Sequence, residues 1–128
     1  MTPSDFSGLV LPFNVESKNG RVYTSIDKVA DYLMVTLTPD PSITVNLNDV
    51  VGVVDNYEIK EDGLYISGHF SDTPKYRVLK HFLDADLLTF VPNGVGTGVD
   101  GFVKDYHLTS INIVDANHAA FNNKVEVK

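Results

Sequence analysis

The sequence predicts an α+β domain: a mostly antiparallel sheet, curled toward a small barrel, carrying two helices. Three observations predict it. Leu64, Ile66, Gly68 and Phe70 alternate with Tyr65, Ser67 and His69, the period-two signature of a strand with one buried face. From Pro74 to Asp84, Val78, Leu79, Phe82 and Leu83 fall on one side of a helix, with Lys75, Arg77 and Lys80 on the other. A second helix is expected from Ser25 to Val35, where Ile26, Val29, Ala30, Leu33 and Met34 repeat at helical spacing behind the capping hydroxyl of Ser25.

Taken in order, Phe6 to Val15 reads as a first strand that Pro12 bends or holds at an edge. Asn19-Gly20 is a turn signal, followed by a short extended piece, Arg21 to Tyr23. Beyond the first helix, Thr38 to Ser42 is a loop because Pro39 and Pro41 bar regular structure. Ile43 to Val54 is extended, with an interruption at Asn46 to Asp49, and Asp62-Gly63 supplies the positive backbone angles of a hairpin turn. Asp72 or Thr73 caps the Pro74 helix, and Pro74 fits its first turn. Leu87 to Val91 and Phe102 to Val114 are strands; Asp115 to His118 is a turn, and residues 122–128 are a polar tail. The expected core draws on Leu9, Leu11, Ile26, Val29, Leu33, Val51, Val53, Leu64, Ile66, Val78, Leu79, Phe82, Ile111 and Ile113. One domain, 1–128, accounts for the whole pattern.

Composition excludes several function classes. A chain of 128 residues with 43% hydrophobic content suits one domain with a real core. No run reaches the roughly 18 apolar residues that cross a bilayer, and Met1 to Asp5 lacks the pattern of a secretion signal, so no membrane role is expected. The absence of cysteine rules out a disulfide scaffold, a zinc–cysteine site and a cysteine nucleophile. The formal net charge of −7 repels polyanions at long range, so nucleic acid is not an expected partner.

The residues that could carry chemistry are scattered. His69, His81, His107 and His118 show no spacing that puts two on one face as metal ligands, and a structural or surface role is the ordinary reading of each. Asp55, Glu58, Glu61 and Asp62 cluster at a turn without calcium-loop spacing, so no metal and no cofactor is expected. The run Asn93 to Gly101 has glycine at almost every second position, but a strand follows it where a phosphate-binding loop needs a helix; it reads as a flexible hairpin tip. Ser67 lies two residues from His69 with no third group in the sequence to orient the pair.

The order of segments resembles the capsid maturation (prohead) proteases of tailed bacteriophages, whose fold is shared with herpesvirus assemblin. The resemblance rests on Gly8 to Phe13 with Lys18 to Tyr23, on Ser42 to Val50, on Gly63 to Leu83 with its Asp72-Thr73-Pro74 helix start, and on Asp105 to Val114 with Ala119 to Phe121. It covers roughly residues 6–121. The departures are as informative. The family's histidine belongs just before the Val45-Asn46-Leu47 segment, where this chain has Val35 to Pro41, and its serine belongs after the Pro74 helix, where this chain has Leu88 to Gly94. Without an imidazole to take its proton, a hydroxyl is a poor nucleophile at neutral pH.

The resemblance therefore implies an inactive protease-like fold kept as a phage head decoration (cement) or minor capsid protein. It would be made in the host cytoplasm, reside in the virion, and bind the major capsid protein, with self-association possible. Phe90, Val91, Val95 and Phe102 are the expected partner contacts. The alternative is an active maturation protease using Thr89 or Ser67 with His69 or His107.

Overall fold

A computed structural model describes residues 4–18, 20–37, 50–71, 74–116 and 124–127. Nine strands and one helix lie among them: β1 Phe6–Pro12, β2 Val22–Tyr23, β3 Lys28–Val29, β4 Met34–Leu37, β5 Val50–Lys60, β6 Gly63–Phe70, α1 Pro74–Asp84, β7 Leu88–Val99, β8 Phe102–Asp115 and β9 Lys124–Val127. The expected loop at Thr38 to Ser42, the extended piece from Ile43 to Asp49, the cap at Asp72 or Thr73, the side chain of Val78, and His118 fall outside the described residues.

The fold class differs from the expectation. The chain is mostly β, its single sheet is mixed, and the sheet does not close into a barrel. The helix expected from Ser25 to Val35 is absent; β3, β4 and two bends take its place. The cause is β8. β2, β3 and β4 lie in succession along one of its edges, each parallel to it, with Val22 opposite Phe102, Lys28 opposite His107 and Val35 opposite Ile111. The bends between them are tied down by Asp27 N–H to the Tyr106 carbonyl and Ala30 N–H to the Leu108 carbonyl. Bends at irregular intervals reset the period-two alternation, so a broken strand can mimic helical spacing. Val29, Val35 and Thr36 are β-branched and favour the extended form once a partner edge exists.

Across the sheet, β7 flanks the other edge of β8, while β4, β5, β6, β1 and β9 continue on the far side. Curling brings β1 over β7. The Phe6 ring centroid lies 5.1 Å from those of both Phe70 and Phe90, and these three side chains centre the core. Helix α1 packs against both β7 and β9, where the two ends of the sheet would have to pair. A helix in that seam keeps the curled sheet open.

Most of the expected core is inside: Leu11, Leu33, Val51, Leu64, Ile66, Leu79, Ile111 and Ile113 are buried. Val53 and Phe82 are not, with 47% and 41% of their surface exposed. Val51 is the extra residue of a bulge, since Val35 pairs with Gly52 and Thr36 with Val50. The bulge shifts the alternation, and Val53 then faces outward opposite His69. On α1, Leu79 and Leu83 face the core together, one turn apart, and Phe82 is left off that stripe.

The expected polar tail contains a strand. β9 pairs antiparallel with β1, and its Val125 and Val127 pack against the core. The β5–β6 turn is Glu61-Asp62, one residue earlier than expected, because Lys60 pairs with Gly63. Gly63 instead opens β6 at a place where a Cβ would overlap the Leu11 carbonyl oxygen.

Candidate functional site

The hydroxyls and imidazoles expected of an active enzyme are not brought together in the family's manner. On the β7–β8 hairpin, Thr89 pairs with Val114 and His107 with Val95. Six residues of strand separate Thr89 from Val95, so Thr89 and His107 lie roughly 20 Å apart along the ladder. His69 and Thr89 are the strand neighbours of Phe70 and Phe90, whose rings approach to 6.3 Å in the core. Successive strand side chains point to opposite faces, so His69 and Thr89 both point away from the core, on opposite walls.

His69 does have a partner that the sequence concealed. Val54 pairs with Gly68 and Asn56 with Ser67, which leaves Asp55 as the extra residue of a β5 bulge. The bulge brings the Asp55 carboxylate against His69 Nδ1. Ser67 shares that outer face two residues away, so the orienting third group is present. Among the described residues, the backbone beside Ser67 offers no matching oxyanion hole. β6 is an inner strand; Ser67 pairs with Ser7 on one side and Asn56 on the other, and Gly68 with Phe6 and Val54, which commits this backbone to the sheet ladders. No spacing rule could have found Asp55, since the sequence does not mark the bulge.

The other carboxylates of the β5–β6 turn are engaged separately. Asp62 accepts a 2.6 Å hydrogen bond from the Tyr65 hydroxyl, which raises the phenol above its usual pKa, and Glu58 lies 3.9 Å from Lys60 Nζ. No group of three metal-ligating side chains occurs among the described residues. No described helix is long and apolar enough to cross a membrane.

The distal half of the β7–β8 hairpin has a different character. Asp100 and Gly101, at φ 52° and 84°, make its two-residue turn between Val99 and Phe102. The glycine run expected at a flexible tip is therefore strand. Of the expected partner contacts, Phe90 is 1% exposed and belongs to the core, and Val91 is half-buried. Val95 is 66% and Phe102 46% exposed, and Val99, not among the expected contacts, is 44% exposed.

Gly94, Gly96 and Gly98 share the face opposite Val95 and Val99. Cβ atoms at Gly94 and Gly96 would press on the Tyr106 ring at 2.9 and 3.3 Å, and at Gly96 also on Val103 Cγ1 at 2.8 Å, so these side chains fill the space the glycines leave. A bulge in β8 aims the Tyr106 ring there. Val95 pairs with His107 and Thr97 with Lys104, so Asp105 and Tyr106 together oppose Gly96, and Asp105 adopts φ 53°. Tyr106 also meets Tyr23 edge-on at 5.1 Å. Burial, and secondarily Tyr23, push its phenol well above the ordinary value of 10.0.

Beyond Tyr106 the floor is bare. A Cβ at Gly98 would touch nothing within 4 Å. The result is a cleft of about 360 Å³ floored by Gly96 and Gly98 and lined by Tyr23, Val103 and Tyr106, with Arg21 and Phe102 at its margin. A shallower trough, of about 550 Å³, crosses the outer face of β1, β6 and β5 between Ser7 and Tyr57. The hairpin arm with its glycine-floored cleft is the candidate site. Comparison of the chain with protein-family models, with curated proteins and with solved structures finds no match.

Proposed function

We propose that this chain is a non-enzymatic phage-head accessory protein, a decoration or minor capsid component, that docks on the major capsid protein through its β7–β8 arm. The observation that carries the binding role is the outward face of the distal β7–β8 arm: Val95, Val99 and Phe102 are exposed there, while Val103 and Tyr106 of the same arm are buried in the core, on a chain of net charge −7. Apolar side chains displayed together on one exposed face are the ordinary material of a protein interface. The capsid as partner rests on the order of segments in the sequence. Separation of Thr89 from both His69 and His107 supports the absence of the family's chemistry.

The test is co-sedimentation of the protein with assembled capsids of the phage that encodes it, in a large excess of irrelevant protein. Saturable, stoichiometric binding with both chains uncleaved is expected. Failure to bind overturns the proposal.

One observation favours a second reading. Asp55, His69 and Ser67 share an outer face, so a serine-type protease acting on capsid or scaffold precursors is the competitor. Trimming of capsid precursor that is lost in both Ser67→Ala and His69→Ala would bring that reading forward. Trimming lost in Thr89→Ala alone would restore the family's arrangement.

A further inference from the structure

We infer that the outer edge of β7, from Gly94 to Gly98, is a β-addition site. It takes one extended segment of the capsid protein as an extra strand and receives one of that segment's bulky side chains in the Tyr23–Tyr106 cleft. The inference names the docking mode of the arm and so rests on the proposed function.

The direction of the backbone groups carries it. In an antiparallel ladder each residue sends its N–H and C=O to the same side, and successive residues alternate. Val99 and Phe102 close a two-residue turn and so point these groups at each other. Counting back, Thr97, Val95 and Asn93 also face β8, while Gly98, Gly96, Gly94 and Pro92 face outward. Two independent features agree with this count. The Asn93 carbonyl accepts a 2.9 Å hydrogen bond from Thr109 Oγ1, which is on β8. Pro92, which has no N–H to give, falls on the outward side, where proline is tolerated in a strand.

On that outward side β7 pairs with no other described strand. Among the described residues, its unpaired donors and acceptors therefore sit on three glycines, none of which has a positive φ. Edge strands are ordinarily protected by charge, proline or a covering element. Pro92 supplies that protection at the proximal end and Asp100 marks the distal end, but the seven residues between them carry no charge. An unprotected extended edge is complementary to one kind of object, another extended backbone.

The cleft adds the second half of such a site. A strand laid beside β7 would place alternate side chains over the glycine face, where Gly98 leaves open space and about 360 Å³ is already shaped by Tyr23, Val103 and Tyr106. Backbone pairing then supplies affinity, and the pocket selects a bulky apolar or aromatic residue. A second copy of this chain fits the edge less well. Two chains of net charge −7 repel, whereas the edge itself is neutral and imposes no charge on a foreign strand.

Two variants at one residue test this with the full chain and assembled capsids. Gly98→Pro removes an outward N–H without touching the β8 ladder, and Gly98→Trp keeps the N–H but fills the cleft. Each is expected to weaken capsid binding about tenfold or more. In the unaltered protein, the amides of Gly94, Gly96 and Gly98 exchange quickly when free and are expected to become protected on the capsid. Normal binding by both variants with unprotected glycine amides overturns the edge site while leaving the capsid role intact. Absence of capsid binding by the unaltered chain overturns both. Glycine protection that rises with protein concentration and accompanies a dimer in sedimentation, without capsids, overturns the capsid segment as occupant in favour of a second copy.

Discussion

Glycine does opposite things in β6 and in β7. At Gly68 the missing side chain is replaced from within: a Cβ there would sit 2.6 Å from Phe6 Cζ and overlap the Val53 carbonyl oxygen, so the Phe6 ring lies over the strand and joins Phe70 and Phe90. At Gly98 nothing takes the space. Gly94 and Gly96 stand between these extremes, covered by Tyr106. Along the chain from the core to the arm, the same residue changes from a packing device to an opening. A core is held by what fills its glycines, and a binding edge is made where they stay unfilled.

The contrast is sharpest where the aromatic filling is removed. Phe90→Ala should cost about 4 kcal/mol of unfolding free energy, measured by urea denaturation, because a fully enclosed ring leaves a cavity bounded by Phe6 and Phe70. Gly68→Val should cost about 3 kcal/mol by the same measurement, since the new side chain meets backbone that cannot yield. If Gly68→Val were neutral, the packing role assigned to this glycine would be wrong.

Tyr106 sharpens the comparison through pH. Its phenol is held above the ordinary 10.0 by burial first and Tyr23 second, so the native state keeps a proton that the unfolded chain releases. The associated stability is present below pH 10 and is lost as the pH rises from there toward the folded value. In that range the loss approaches about 1.4 kcal/mol per pH unit. Denaturation curves for Tyr106→Phe should decline more gently above pH 10 than those of the unaltered chain; identical slopes would mean that the ring is not enclosed.

Smaller effects are expected at the exposed positions. His69→Ala separates Asp55 from its partner on a half-exposed face and should change stability by less than about 1 kcal/mol. Gly98→Val, on the open floor of the cleft, should stay within about 0.5 kcal/mol in thermal denaturation. A large loss there would show that the distal arm is packed rather than open.

Much of this was legible in the chain where the signal is local. Strand β6 follows from its alternation, helix α1 from the Leu79–Leu83 stripe, and the Asp100-Gly101 turn lies within a run already marked by glycine. The segment Ser25 to Val35 resembles a helix in sequence because two short strands, β3 and β4, draped along β8 with bends mimic helical spacing, and the partner edge that selects the extended form arises nearly 80 residues later in the sequence. The site was half legible. Val95 and Phe102, expected from their apolar character, are exposed on the arm, but Phe90 belongs to the core, and Asp55 reaches His69 only through a bulge.

By itself, the sequence determined an acidic, cysteine-free chain with a sheet-forming core, one amphipathic helix at Pro74 to Asp84 and a glycine-alternating run. Those properties depend on residue type and near-neighbour spacing, which the linear order preserves. Tertiary structure alone decided that the sheet is mixed and open, that Tyr106 covers Gly94 and Gly96 but not Gly98, and that the glycines of β7 turn their hydrogen-bonding groups outward. Each of these follows from strand register. Register is set by bulges and by the choice of partner strand, and a shift of one residue would reverse every face.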